Sequence, residues 1–308
     1  MRKLIIHAGV HRTGTTAIQN FLYRNKKNLE EFGCCYPGEK VNHQDIAWEL
    51  YRKEITYGNL KEFINKYSSE SCKSIILSAE DFCINEDLHW VSQACQDFDV
   101  YVYMVLRRQD QWIESWYNQH VKWPFDRAKS MMDPMEFLEC IDDFYWIKYN
   151  KNIENWKSVV GMDKIKISVM GSDQVGGFLK FSVPGWKIFE KEKKDNSSMS
   201  PESIEIIRRL GIFDLKPRER MKIINAVKSV VPNTSKYKHI YSRSLRKMIV
   251  SYYNDGNIEV GKKYFGLDGS PFSNDFDDYL AYYPYKMESL NIINKLLPDV
   301  VRNIALQN

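Results

Sequence analysis

Apolar residues follow two rhythms along this chain, short unbroken runs and runs spaced at three and four, and the two alternate. Leu4 to Ile6 is the first unbroken run; Ala17, Ile18, Phe21 and Leu22 then recur at helical spacing, with Gly9 and Gly14 in between. An unbroken run this short suits a strand covered on both faces by βαβ crossovers, and the spaced run suits a helix. The stretch Lys3 to Asn20, KLIIHAGVHRTGTTAIQN, therefore predicts a strand, a glycine-cornered loop and a helix that ends near Phe32-Gly33. Cys34 to Pro37 offers a short second strand, and helical stretches follow around Gln44 to Lys53 and Asn59 to Tyr67. Ser74 to Leu77 is a clear apolar strand that runs out at Ser78-Ala79-Glu80-Asp81.

A helix near Asp87 to Gln96 leads to the strongest strand, Asp99 to Leu106, which ends in Arg107-Arg108 and passes into a helix from Gln109 to about Lys122. Along that helix Gln111, Ser115, Asn118, Gln119 and Lys122 make a polar stripe. Helical stretches around Pro134 to Asp142 and Tyr149 to Val160 precede a further strand, Lys164 to Met170. From about Asp173 the signals are mostly helical: a start marked by Ser200, Pro201 and Glu202, then Lys216 to Val230, Ser242 to Tyr253 and Lys286 to Ala305. The pattern predicts an α/β fold, a P-loop-like open parallel sheet flanked by helices with a mostly helical C-terminal portion. We expect a single domain over 1–308, with about 196–308 a mainly helical extension packed on it.

Composition adds mostly exclusions. Of 308 residues, 44% are hydrophobic and 27% charged, which is ordinary for a globular chain. The balance of 44 basic against 40 acidic residues, +4, is too slight for a nucleic-acid binder, so any electrostatic argument rests on local clusters. The longest apolar run, Val100 to Leu106, is far short of a membrane span, and the N-terminus has no secretory h-region, so a cytoplasmic protein is expected. Six cysteines show no C-x-x-C spacing and Cys34 adjoins Cys35, which predicts buried reduced thiols rather than a disulfide framework. His7 and His11 lie on a strand and its loop, where a spacing of four does not converge, so no metal site is expected.

The first loop carries the chemistry. Backbone N–H groups at a strand-to-helix turn have no intrahelical partner and attract anions, with the helix dipole adding to the attraction. A Walker A loop would place lysine where this chain has Thr15, and the cation stands earlier, at Arg12. An arginine there can fork onto a phosphate or sulfate. The same residues also suit an ordinary strand, glycine turn and capped helix.

HRTGTT after the first strand and VLRRQDQWIESWY after a later one resemble the two nucleotide-binding elements of the PAPS-dependent sulfotransferases, closest to bacterial members acting on carbohydrates. The resemblance covers about the first 125 residues. It implies that Arg12, Thr13, Gly14, Thr15 and Thr16 hold the 5′-phosphosulfate of 3′-phosphoadenosine-5′-phosphosulfate (PAPS), and that Arg107, with Ser115 eight residues later, holds the 3′-phosphate. PAPS is then the donor and PAP the product, with no metal and with a glycan or small-molecule hydroxyl as acceptor. Many members carry lysine at the position of Arg12. Arginine keeps the charge but is a poor proton donor, which leaves Arg12 a catalytic role in charge stabilisation.

In carbohydrate members a glutamate after a strand end like LSAE serves as base, which implies that Glu80 takes the acceptor proton. The alternative is that Ser78 caps a short helix with Glu80 and Asp81 in its first turn. His11 and His120 are weaker base candidates, better suited to hydrogen bonding or packing. Trp112, Trp116, Tyr117, Trp123, Phe125, Tyr145 and Trp146 could offer a sugar platform, although aromatic residues at helical spacing more often form core. The Lys191 to Lys194 run reads as a solvated loop, with a lid as the alternative. Two other functions fit parts of the pattern: a P-loop kinase or NTPase, and a non-catalytic binder of sulfated or phosphorylated ligands.

Overall fold

Strands form where apolar runs can be buried on both sides, and among the described residues five of them pair. The computed structural model describes residues 1–69, 71–171, 173–183, 185, 199–211, 216–231, 238–279, 294, 298–299 and 301–302. Its elements begin with β1 (Arg2–His7), α1 (Thr15–Arg24), α2 (Lys26–Glu31), β2 (Cys34–Cys35), α3 (Gln44–Tyr51), α4 (Tyr57–Tyr67) and β3 (Ser74–Ser78). A 3₁₀ turn (Glu80–Ile84), α5 (His89–Asp97), β4 (Phe98–Leu106), α6 (Gln109–Lys122), α7 (Arg127–Met131), α8 (Pro134–Glu139), α9 (Tyr149–Val160) and β5 (Ile165–Val169) follow. Then come α10 (Gln174–Ser182), α11 (Pro201–Leu210), α12 (Pro217–Val230), α13 (Arg243–Tyr252) and α14 (Asn254–Val260).

All strand pairs are parallel, in the order β2-β3-β1-β4-β5. The expected α/β fold, an open parallel sheet flanked by helices, is therefore present. Ile5 and Ile76 face one side with Tyr103 and Val105, against Ile18, Phe21 and Leu22 of α1 and Phe178 and Leu179 of α10. The opposite face is covered by α5 and α9, where Trp90 meets Trp156 edge-on. The chain leaves β1 toward β2 on one side and β4 toward β5 on the other. Adjacent parallel strands whose connections diverge open a crevice beyond their carboxyl ends, and that is where the first loop and Arg107 lie.

Contacts divide the chain into two units. The first contains the whole sheet: 1–108, 144–193 and 253–273. The second comprises 109–143, 194–252 and 274–308, and its described elements include α6, α7, α8, α11, α12 and α13. Within it Arg246, fully buried, bonds to Asp110 at 2.9 Å and to Glu114, and lies over the Tyr279 ring. Arg220 donates to the carbonyls of Val121 and Lys122, both at 2.7 Å, and so satisfies the last carbonyls of α6.

Three expectations change. The first helix breaks at Asn25 into α1 and α2 instead of running to Phe32. The second strand shortens to Cys34–Cys35. The cysteines are not all reduced: Cys35 and Cys72 form a disulfide, while Cys34, Cys83, Cys95 and Cys140 are free. The pairing of β2 with β3 brings the two Cα atoms to 5.9 Å, inside bridging range, across a sequence separation of 37 that hides the pair in the chain. The Lys191 to Lys194 run and most of the helix expected over 286–305 lie outside the described residues.

Candidate active site

Residues 8–14 join β1 to α1, and their shape follows from three left-handed positions. Gly9 has φ 88°, Gly14 φ 84° and Arg12, unusually for a residue with a side chain, φ 64°. The loop stays pinned to β4 as it leaves the strand: Ala8 N–H donates to the Tyr103 carbonyl and Val10 N–H to that of Val105, while Val105 N–H donates to the Gly9 oxygen. Gly9 also backs directly onto Glu80. A Cβ at Gly9 would meet the Glu80 Cα at 2.9 Å, so only glycine allows the loop and the Glu80 backbone to approach this closely.

Thr13 is fully buried, and its hydroxyl donates to the Val10 oxygen at 2.7 Å, bracing the loop from within. Thr15 is buried and Thr16 exposed. At Gly14 the helix starts without a side-chain cap and without an acid in its first turn. Neither a capping side chain nor an acid of the first turn itself therefore competes with an anion for the amide end of α1.

Glu80 opens the 3₁₀ turn after β3, and Gln19 of α1 donates to its Oε2 at 2.7 Å. The Arg12 guanidinium is lowered by burial and supported by the Glu80 charge, which puts the two within electrostatic reach. Ser78 is not a cap. Its hydroxyl meets His7 Nδ1 at 2.7 Å, and no side chain caps the turn.

His11 sits behind the loop. Its Nε2 lies 3.2 Å from Asp81 Oδ1, its Nδ1 lies 3.6 Å from the Cys83 sulfur, and its ring rests against Trp146. Burial pulls its pKa down, but Cys83 and the Asp81 carboxylate outweigh burial and raise it to about 10. A protonated imidazole with both nitrogens engaged is a poor base, so His11 ties the loop to the turn that carries Glu80. His120, buried on α6, engages the Trp116 carbonyl at 3.1 Å.

The two arginines at the end of β4 diverge. Arg107 Nη1 donates to the Arg12 carbonyl at 2.9 Å, and Arg108 Nη1 donates to the Ser273 carbonyl at 2.8 Å. Tyr149 brackets Arg107, donating its hydroxyl to the Arg107 oxygen at 2.6 Å and accepting from the Arg107 N–H at 3.3 Å. The structure thus brings Arg12, Glu80 and Arg107 to one rim of the sheet. Ser115 lies on α6, half-buried, in the second unit.

The aromatic cluster read from the sequence divides. Trp112 and Tyr117 are fully buried core, Phe125 is 65% exposed and stacks on Trp116, and Trp146 belongs to the first unit beside His11. Sequence reasoning missed Gln19, Asp81, Cys83 and Tyr149 as partners of the loop. Only Gln19 carried a signal, standing one turn after Thr15 on the helix that the loop opens.

No family model matches the chain. It is 26% identical over 172 residues to an uncharacterized protein of Archaeoglobus fulgidus, a match that covers 52% of this chain and 45% of that protein's length. Among solved structures it is similar to a sulfotransferase from Alicyclobacillus acidocaldarius, with a TM-score of 0.43 and 14% identity, covering 70% of this chain and 98% of the other.

Proposed function

We propose that the protein is a PAPS-dependent sulfotransferase that moves the sulfuryl group of PAPS to a hydroxyl of a carbohydrate or glycan precursor and releases PAP. The observation that carries this reading is the meeting of Arg12, Glu80 and Arg107 around a loop whose helix end has neither a capping side chain nor an acid. The residues fit such a donor. PAPS carries anionic groups at two ends of an adenosine, and two arginines here follow neighbouring strands, the Arg107 guanidinium donating to the main-chain carbonyl of Arg12.

Arg12 with the loop from Thr13 to Thr16 would hold the 5′-phosphosulfate, and Arg107 the 3′-phosphate. The assignment of Ser115 rests on the resemblance alone. The donor supplies an activated sulfuryl group, and the chain supplies position and charge. Glu80, oriented by Gln19, would accept the proton of the attacking hydroxyl. Arg12 would stabilise the negative charge that develops during transfer. Thr15 at the Walker lysine position counts against a kinase.

The test is incubation of the purified protein with radiolabelled PAPS and a panel of glycan and small hydroxyl acceptors. Labelled acceptor and PAP are expected. Magnesium-dependent ATP turnover without sulfate transfer would replace the proposal with an NTPase, and tight PAP binding without transfer to any acceptor would make the protein a binder only.

A further inference from the structure

The guanidinium read above as a phosphate ligand also holds the loop at the other end of the proposed nucleotide. Arg107 Nη1 donates to the carbonyl of Arg12, and Arg12 is the one residue of the loop that bears a side chain and sits in the left-handed region. That conformation is unfavourable for an L-residue with a Cβ and needs support from its surroundings. The peptide unit is planar, so its C=O and the following N–H point in opposite directions. A cation that fixes the Arg12 oxygen on one side therefore fixes the Thr13 N–H on the other. In a loop that binds anions through backbone amides, a flipped peptide would present an oxygen where an N–H is needed.

The support is itself over-determined. Tyr149, 2% exposed, grips both the N–H and the carbonyl of Arg107 through one hydroxyl. Val105 holds the Gly9 oxygen two residues earlier on the same strand, so the loop is fastened to the end of β4 through two of its carbonyls. A guanidinium has five N–H donors, so one bond to Arg12 does not by itself exclude a phosphate.

We propose that Arg107 is a positioning residue of the β1-to-α1 loop, orienting the Arg12–Thr13 peptide and coupling the two ends of the nucleotide site. The ligand arm of this inference rests on the nucleotide reading of the site; the loop arm does not. Arg107→Met keeps the bulk of the stem and removes every donor, Arg107→Ala removes both, and Arg107→Lys restores one cation.

Amide hydrogen exchange of the apoprotein across residues 8–16 and calorimetric affinities for 5′-AMP and PAP decide it. In the Met and Ala variants, exchange over 8–16 is expected to rise roughly tenfold or more with the strands unaffected. Affinity for 5′-AMP, which has no 3′-phosphate, is expected to fall by a similar factor. Arg107→Lys should recover most of the loop protection. Unchanged exchange over 8–16 in either folded variant overturns the inference, as does loss of PAP affinity alone with 5′-AMP binding intact. If the wild-type protein binds neither nucleotide, the functional reading fails while the exchange result still decides the positioning role.

Discussion

Glu80 and Gly9 show how closely single residues set this site. Glu80 stands in the first turn of a 3₁₀ helix and accepts from Gln19, which fixes one of its carboxylate oxygens. Glu80→Gln is expected to leave PAP binding nearly intact while slowing turnover by roughly 10² to 10⁴, read from initial rates of sulfate transfer. Unchanged rates would remove Glu80 from the mechanism. Gly9 has a left-handed φ of 88° and no room for a Cβ against Glu80. Gly9→Ala is expected to cost about 1–3 kcal/mol in urea unfolding, through backbone strain and displacement of the turn. A variant as stable as the wild type would mean that the loop and the turn are not in contact.

At the scale of elements, two fastenings stand out. Arg220 of α12 closes the carboxyl end of α6 by donating to two carbonyls from a nearly buried position. Arg220→Met leaves those carbonyls without their charged donor, and a loss of about 2 kcal/mol or more is expected from urea midpoints. The second fastening is the edge strand β2, which has two residues in register with β3 and is tied by Cys35–Cys72. A bridge that closes a loop of this length restricts the unfolded chain. Reduction, or Cys35→Ser, is therefore expected to lower stability by roughly 2–4 kcal/mol. Identical unfolding curves with and without reductant would show that the bridge contributes nothing.

For the molecule as a whole, three buried histidines shape the dependence of stability on pH. Burial lowers His7 to about 3 and His43 to about 4. His43 is further committed to its neutral form, accepting from the Ser78 N–H at Nδ1 while Nε2 meets the Pro37 carbonyl. As pH falls below 6.5 the unfolded chain takes up protons that these side chains refuse when folded, so stability falls by about 1.4 kcal/mol per pH unit for each. His11 works in the opposite sense. Its pKa is raised to about 10, so its contribution is complete below pH 6.5 and is lost as pH rises from there toward 10. Stability measured by urea unfolding at successive pH values is expected to fall less steeply on the acid side in His7→Asn and on the alkaline side in His11→Asn. Limbs parallel to those of the wild type in both variants would contradict the assignment.

The sequence alone determined what depends on local rhythm. Unbroken runs such as Leu4 to Ile6 and Val100 to Leu106 suited strands covered on both faces, and they are buried in the parallel sheet. Pro and Ser at 200–201 marked the start of α11, and the spacing of Gly9 and Gly14 marked the loop. The candidate residues Arg12, Glu80 and Arg107 were legible because each follows a strand, and parallel strands deliver their carboxyl ends to one edge. What joins those residues was decided only by tertiary structure. Gln19 on Glu80, Asp81 and Cys83 on His11, Arg107 on the Arg12 oxygen and Cys35 on Cys72 are pairs between 37 and 95 residues apart. Periodicity reports which side of an element faces the core. It carries no information about which distant side chain arrives there, because that is fixed by strand order and register.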